Sequence, residues 1–193
     1  MSSVDETADR RLIHDLVLRY CTAVDRGDYP GVRAVYASDG VDNHTGFSGP
    51  ADEFVQWLRV RIAGFDGTMH LVGNHLVDLY GDHAFAETYG MAVHWGSPFD
   101  DETLNFTSGF RYLDHLRRDP EGWRIVERTA VRDWTRSDAG RMRSPEGDGP
   151  QGRRGPADPL EACRDRVRYI AGLTTTAQGE TKAARAENEE STS

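Results

Sequence analysis

The chain has 193 residues, of which 37% are hydrophobic, and its formal net charge is -9 at pH 7. This length favours one domain with extensions, and the acidic balance argues against nucleic acid as a partner, since phosphate binding requires clustered Lys and Arg. No apolar run approaches the roughly 20 residues of a membrane span, and the first residues are polar and acidic. We therefore expect a cytoplasmic protein without a membrane partner.

Three helices are predicted in the first third of the chain. Apolar residues recur at helical spacing from residue 7 to residue 24, which predicts the first helix. Asp28 as the N-cap, followed by a proline in the first turn, predicts a second helix that extends to Tyr36. A short strand at residues 41–45 precedes a third helix, which begins after Pro50 and has acidic residues in its first turn.

The second half of the chain has the alternating pattern of β-strands. Residues 70–80 and 84–95 are rich in β-forming side chains and are joined by a short connection of the hairpin type. A second hairpin is predicted from residues 103–116 and 123–134, which flank a turn that contains Pro and Gly. Helices in one half and an antiparallel meander in the other indicate an α+β domain, in which a long bent sheet leaves a pocket against the helices.

The composition changes after the last predicted strand. Residues 137–159 are crowded with Gly, Pro, Arg and Asp, which predicts a linker or a mobile flap. A C-terminal helix is predicted by apolar residues at helical spacing, namely Leu160, Cys163, Val167 and Ile170. We divide the chain into a domain at residues 1–136, the linker with its helix at residues 137–173, and a disordered tail at residues 174–193.

Asp25 is the first candidate for a functional group. It lies in the last turn of the first predicted helix, where the helix dipole places partial negative charge and disfavours a carboxylate. Such a violation of a local rule marks either a chain reversal that solvates the group or a functional site. The segment at residues 25–28 also fits a polar turn without a function.

His70 is the second candidate, at the start of the first strand of the meander. With an alternating pattern, His70, Val72 and Asn74 share one face of the sheet. An imidazole suits a base near neutral pH when a carboxylate holds one ring nitrogen, although a hydrogen-bonded structural histidine is the alternative. His75 faces the other side unless a bulge at Gly73 redirects it, so the histidines do not predict a metal site.

Arg128 adds a charge to the apolar alternation of the last predicted strand. It lies on the same face as Val126 and Ala130 in that pattern. Either this face is solvated, or the guanidinium enters the pocket, where it suits an anionic or carbonyl-bearing substrate.

No cofactor and no metal are expected from the motifs. The two cysteines, Cys21 and Cys163, are far apart and do not form a Cys-x-x-Cys pattern, so neither a disulfide framework nor a thiolate metal site is predicted. The sequence also lacks His-Glu-x-x-His, Gly-x-Gly-x-x-Gly and a phosphate-binding loop.

Four segments together resemble the SnoaL-like branch of the nuclear-transport-factor-2-like superfamily. They are residues 18–25, 69–74, 110–114 and 123–128. The resemblance spans roughly residues 7–134 and implies a cone-shaped fold, in which a curved antiparallel sheet packs on three N-terminal helices and encloses a pocket. The family members that the chain is similar to include hexachlorocyclohexane dehydrochlorinase, scytalone dehydratase and bile-acid 7-alpha-dehydratase, which eliminate HX or water without cofactors.

The resemblance implies a catalytic pair formed by Asp25 and His70. In the implied lyase or isomerase reaction, His70 removes a C–H proton from a small hydrophobic cyclic substrate while Asp25 orients it. Tyr20 is implied as a hydrogen-bond donor to a carbonyl or departing group, and Arg128 as the group that steadies negative charge. Further candidates for substrate contact, with ordinary core packing as the alternative for the aromatic residues, are Phe54, Trp57, Asn74 and Trp134.

Other functions fit the same cavity. The resembled superfamily also contains polyketide cyclases, ketosteroid isomerases, epoxide hydrolases and non-catalytic modules that bind small molecules. A homo-oligomer, either a dimer or a trimer, is expected because an apolar outer face of a meander is commonly buried against a second copy.

Overall fold

The computed structural model describes residues 3–143, 150–152 and 154–170, and these residues form four α-helices and six β-strands. The helices are α1 (Ser3–Arg26), α2 (Tyr29–Ala34), α3 (Ala51–Ile62) and α4 (Pro159–Ile170). The strands are β1 (Tyr36–His44), β2 (Phe47–Pro50), β3 (Gly67–Tyr80), β4 (His83–Trp95), β5 (Phe106–Asp119) and β6 (Gly122–Ser137). The predicted α+β class is confirmed.

The six strands form one sheet in the order β2-β1-β6-β5-β4-β3. The strands from β3 to β6 are the predicted antiparallel meander, and β2, which was not predicted, pairs with β1 at one edge. The sheet is mixed rather than wholly antiparallel, because β1 lies parallel to β6. The chain between these two strands passes through α3 and the meander, so the long connection that a parallel pair requires is present.

β-bulges bend this sheet. On β3 the register shifts between Val72 and His75, where two residues lie opposite Tyr89 of β4. β6 has two further shifts against β5, one at Val126 and one at Asp133. An extra residue of this kind bends a strand and increases its twist, so the long strands curve around the helices.

α1 presents one apolar stripe to the inner face of the sheet. Ile13, Val17, Tyr20 and Val24 recur three or four residues apart, and each is at most 3% exposed. Full burial stabilises an aliphatic side chain of this size by about 1.5–3 kcal/mol relative to its exposed state. The stripe therefore holds the end of α1 against the sheet, where Asp25 follows.

α2 begins as predicted and ends earlier. The Asp28 side chain accepts a hydrogen bond from the N–H of Gly31 at 3.0 Å, which caps the helix. The carbonyl of Val35 already accepts from the N–H of Ile125 at 2.9 Å, so the chain has left the helix before Tyr36. The predicted extension of this helix to Tyr36 is wrong because the pairing with β6 takes over these residues.

The segment after β6 contacts the domain mainly through charged side chains. Nη1 of Arg154 donates to the carbonyls of Ile62 and Phe65 at 3.0 and 3.2 Å. Asp158 lies 3.7 Å from Arg26 at the end of α1. None of the described side chains of α4 is buried, so few apolar contacts hold this helix.

The division of the chain at residues 136 and 173 stays a prediction. Residues 144–149 and 153 of the predicted linker, and the whole predicted tail at residues 174–193, lie outside the described residues. Within the described ranges, no helix combines the length and the apolar character that crossing a membrane requires.

A buried carboxylate connects α1 to the last hairpin, and its loss should destabilise the fold. Asp9 is 4% exposed, accepts a hydrogen bond from Nε1 of Trp123 at 3.1 Å and pairs with Arg118. We expect Asp9→Asn to lower the free energy of unfolding by roughly 1–3 kcal/mol, because the remaining partners lose a charged acceptor. Urea unfolding at pH 7 measures this difference, and an unchanged midpoint would contradict the structural role.

The same carboxylate gives the effect a pH dependence. The hydrogen bond from Arg118 lowers the pKa of Asp9 below its ordinary value of 3.8, although burial alone would raise it. The stability from this group is therefore present above pH 3.8 and is lost as the pH falls through the lower folded value. The difference between the wild type and Asp9→Asn should consequently shrink in acid.

Candidate active site

A cavity of about 210 Å³ lies between the inner face of the sheet, α1 and α3. Aromatic and aliphatic side chains form most of its wall. Its polar lining includes three histidines, two tyrosines and two arginines, namely His44, His70, His94, Tyr20, Tyr112, Arg61 and Arg132. Such a small, mostly apolar space with a few polar groups is typical of a site for a small molecule.

The structure brings Asp25 and His70 into contact beside this cavity. Oδ1 of Asp25 lies 2.7 Å from Nδ1 of His70, and its Oδ2 accepts the backbone N–H of His70 at 2.9 Å. Thr68 adds a third bond, from its hydroxyl to Oδ1 at 3.1 Å. The two side chains are 17% and 9% exposed, so solvent screens their interaction only in part.

These contacts fix the chemistry of the imidazole. A carboxylate accepts hydrogen bonds, so Nδ1 of His70 carries the proton that points at Asp25. Nε2 of His70, which has no protein hydrogen-bond partner within the described residues, is then the nitrogen available to a ligand. A base needs such a free nitrogen, and the carboxylate stabilises the imidazolium that forms when the base takes a proton.

Tyr20 lines the cavity and is positioned as a donor. Its ring is 1% exposed and meets the ring of Tyr112 edge-on, with centroids 5.6 Å apart. Burial, more than any neighbouring charge, raises the pKa of the Tyr20 hydroxyl far above its ordinary value. The hydroxyl therefore keeps its proton at neutral pH and can donate a hydrogen bond.

Arg128 faces inward, which is one of the two predicted alternatives, but it is not among the residues that line the cavity, and its contact with a substrate stays a prediction. The side chain is 0% exposed and lies behind the cavity wall, 4.2 Å over the ring of Tyr20 and 4.0 Å over that of Tyr112. Its guanidinium donates two hydrogen bonds of 2.7 Å to Asp114. The bulge at Val126 interrupts the alternation, so Arg128 follows the buried Ile125 onto the inner face.

Two of the other predicted contacts lie on the wrong side of the sheet. Asn74 is exposed because it belongs to the bulge in β3, after which His75 and Val77 take the inward positions. Trp134 is 44% exposed and covers Gly109 on the outer face, since the bulge at Asp133 shifts the alternation of β6.

The two aromatic residues of α3 have different positions. Trp57 lines the cavity as predicted. Phe54 is 0% exposed and lies one layer deeper, where its ring stacks on His44 with centroids 4.9 Å apart. Phe54 therefore fits the predicted alternative of core packing and supports a residue that lines the cavity, and its contact with a substrate stays a prediction.

Two histidines that line the cavity, His44 and His94, were not predicted as site residues. His94 occupies an inward position of β4, in line with the buried Ala84, Ala86 and Ala92, and this parity could have identified it. His44 lies two residues after a buried carboxylate on β1, in the segment predicted as a short strand. Each was visible as a histidine within a strand, but neither lies in the four segments that carry the resemblance.

His94 is a neutral imidazole beside His70. Burial, together with the positive charges that His70 and Arg61 can present, lowers its pKa from 6.5 to about 3. Its ring stacks on Phe106 with centroids 4.3 Å apart and lies 6.4 Å from the ring of His70. His94 therefore carries no charge at neutral pH.

Loss of Arg128 alone should destabilise the fold more than loss of both Arg128 and Asp114. We expect Arg128→Met to cost about 3–5 kcal/mol, because it leaves the fully buried Asp114 carboxylate without its partner. The double variant Arg128→Met with Asp114→Leu should recover a large part of this loss. Thermal and urea unfolding of the three proteins test this, and a single variant as stable as the wild type would contradict the pairing.

The neutral His94 should make the fold sensitive to weak acid. An unfolded histidine takes up a proton near pH 6.5, whereas the folded His94 does so only near pH 3. As the pH is lowered from 6.5 to 3, the free energy of unfolding therefore falls by up to about 1.4 kcal/mol per pH unit for one proton. In His94→Gln the slope between pH 6 and 4 should be smaller by up to this amount. The exposed His115→Gln is the control, and equal slopes in both variants would contradict the prediction.

The fold and this cavity define a class of protein: an α+β domain in which a bent sheet and helices enclose a pocket, with an Asp–His pair where the first helix meets the sheet. The sequence profile of the SnoaL-like domain matches residues 5–129. The chain belongs to the SnoaL-like family.

Similar proteins extend the comparison. The uncharacterized protein Rv2910c of Mycobacterium tuberculosis is 29% identical over 137 residues, which cover 68% of this chain and 90% of that protein. A proposed scytalone dehydratase from Novosphingobium aromaticivorans has a TM-score of 0.64 at 18% identity, covering 77% of this chain and 99% of its own. A hexachlorocyclohexane dehydrochlorinase, LinA type 2, has a TM-score of 0.65 at 16% identity, covering 76% and 100%. At these identities the solved structures support the fold alone.

In the part of the chain that the structure describes, no three His, Cys, Asp or Glu side chains are arranged to hold a metal ion. Cys21 is buried and Cys163 is exposed, and both are free thiols. The expectations of no metal and no cofactor stay predictions.

Proposed function

We propose that the chain is a cofactor-independent lyase or isomerase that removes a C–H proton from a small hydrophobic cyclic substrate. The observation that carries this proposal is the contact of 2.7 Å between Asp25 and Nδ1 of His70, with the ring of His70 in the cavity wall. A positioned imidazole with its second nitrogen free is the arrangement that general-base catalysis requires.

The proposed first step is the transfer of a proton from carbon to Nε2 of His70. The electron pair of the C–H bond moves towards a neighbouring carbonyl, and the Tyr20 hydroxyl donates a hydrogen bond to the oxygen that becomes negative. Asp25 offsets the positive charge that His70 acquires. In a lyase the electron pair then expels a leaving group, whereas in an isomerase a proton returns at another carbon.

The size and the lining of the cavity support the substrate class. A volume of about 210 Å³ suits a ligand of one or two rings. Phe110 and Tyr112 form an aromatic floor with ring centroids 4.4 Å apart, and Trp57 adds a third ring to the wall. The names of the two structural neighbours, a dehydrochlorinase and a proposed dehydratase, agree with an elimination from a ring.

Arg128 has an indirect role in this proposal. Because it lies behind Tyr20 and Tyr112, it acts as a positioning residue that holds the two rings and favours negative charge on the oxygen bound to Tyr20. Arg61 and Arg132 are the guanidinium groups that line the cavity among the described residues.

Two further predictions remain part of the proposal. A homo-oligomer is supported by apolar side chains that the outer face of β3 and β4 exposes, namely Met69, Leu71, Phe85, Tyr89 and Met91. Localisation in the cytoplasm rests on the sequence alone.

The central test follows proton exchange in a probe that cannot eliminate. We expect the wild-type protein in D2O to exchange the C2 protons of 1-tetralone, because the carbonyl makes them acidic and the two rings match the cavity. His70→Gln should slow this exchange by about 10²- to 10⁴-fold, the usual contribution of a general base. Asp25→Asn should also slow the exchange, since one amide oxygen cannot accept all three hydrogen bonds that the two oxygens of Asp25 accept. Mass spectrometry measures the deuterium content, and the exposed His115→Gln is the matched control.

The alternatives give different results in the same experiment. The proposal would be overturned if the wild type converted none of four probes faster than heat-denatured protein does. The probes are 1-tetralone, 3-hydroxy-1-tetralone, scytalone and hexachlorocyclohexane. Binding of 1-tetralone with unchanged affinity in both variants, without exchange, would indicate a binding module. Hydrolysis of an epoxide without deuterium at carbon would indicate an epoxide hydrolase, and ring closure of a linear polyketide would indicate a cyclase.

A further inference from the structure

A second histidine–carboxylate pair faces the same cavity. Asp42 and His44 lie two residues apart on β1, so both point to the inner face, where Oδ1 of Asp42 contacts Nδ1 of His44. The other oxygen of Asp42 accepts the hydroxyl of Tyr36 at 2.5 Å. Asp42 is 0% exposed, and this carboxylate therefore holds the imidazole from within the core.

The ring of His44 is fixed and reaches the cavity. It stacks on Phe54 with an interplanar angle of 22°, and its side chain is 21% exposed. With Nδ1 directed at Asp42, Nε2 is the polar atom left for a ligand, and no partner for it occurs among the described residues. The local geometry thus repeats that of His70 and Asp25.

The two imidazoles lie at opposite ends of the aromatic floor. The ring of His70 is 5.9 Å from that of Phe110, and the ring of His44 is 6.2 Å from that of Tyr112. Phe110 and Tyr112 are neighbours on β5. A ring substrate that lies on these two residues therefore has one imidazole at each end.

The carboxylates beside the two imidazoles have different partners. Asp42 is 0% exposed and accepts one further hydrogen bond, from the hydroxyl of Tyr36. The side chain of Asp25 is 17% exposed and accepts two further hydrogen bonds, from the hydroxyl of Thr68 and the backbone N–H of His70. The carboxylate beside His44 is therefore the less solvated and the less shared of the two.

We propose that His44 is a second catalytic residue, a general acid that protonates the leaving group while His70 removes the proton from carbon. The inference rests on the proposed function and deepens it by assigning elimination with a poor leaving group, such as hydroxide. His70 takes H⁺ from carbon, the C–H electron pair becomes the new double bond, and the C–O bond breaks. Nε2 of His44 gives its proton to the departing oxygen, which leaves as water. Solvent then returns a proton to His44 and takes one from His70.

The decisive experiment varies the leaving group. 3-Hydroxy-1-tetralone must expel hydroxide, which needs a proton, whereas 3-acetoxy-1-tetralone expels acetate, which does not; both give 1-naphthol, whose fluorescence is measured. We expect His44→Gln to lower the ratio of the two elimination rates by about 10²-fold or more, the contribution of a general acid. Asp42→Asn, which keeps the shape of the pair, should lower the ratio in the same direction. His115→Gln is the control, and unfolding curves show whether each variant is folded.

The outcomes separate this inference from the proposed function. The role of His44 would be overturned if His44→Gln and Asp42→Asn lowered the elimination rates of the two substrates equally. If His70→Gln still abolished proton exchange in 1-tetralone, the proposed function would remain intact. Exchange that does not depend on His70, or a wild-type protein that eliminates neither substrate, would overturn the proposed function and this inference with it.

Discussion

The carboxylate of Asp25 joins the last turn of α1 to the first residues of β3, and the arrangement of the cavity depends on this junction. One oxygen binds the imidazole of His70 and the hydroxyl of Thr68, and the other binds the backbone N–H of His70. A carboxylate at this end of a helix is disfavoured by the helix dipole, so these three donors from the strand offset that cost. The same interaction therefore starts the strand, orients the imidazole and explains why an acidic residue is tolerated there.

Behind the cavity, a second set of buried charges gives the wall its rigidity. Arg128 lies between the rings of Tyr20 and Tyr112, and its two hydrogen bonds to Asp114 fix the plane of the guanidinium. An arginine in this position orders two aromatic side chains at once, because its guanidinium contacts two rings that are nearly perpendicular to each other. The polar groups that face a ligand, such as the Tyr20 hydroxyl, are thus held by contacts that the ligand never touches.

The sequence predicts most of the elements of this fold but few of its exact side-chain directions. The helical stripe of α1 and the turns of the meander depend on local spacing, and these predictions agree with the structure. Asn74, Trp134 and the alignment of Arg128 with Val126 were wrong for one reason: a bulge changes which residues face inward, and the alternating pattern does not show it. The parallel pairing of β1 with β6 and the cavity position of His44 depend on contacts between distant segments, which local patterns do not specify.

The bulge in β3 has a consequence for how sequences of this family diverge. Before the bulge the even-numbered residues His70 and Val72 face inward, and after it the odd-numbered His75, Val77 and Leu79 do so. Deletion of one residue at position 73 or 74 would leave a single residue opposite Tyr89, which restores the regular alternation and keeps His75, Val77 and Leu79 on the inner face. A relative that lacks one residue at this point should therefore lack the bend that the bulge produces, while the same side chains of the strand still face the core.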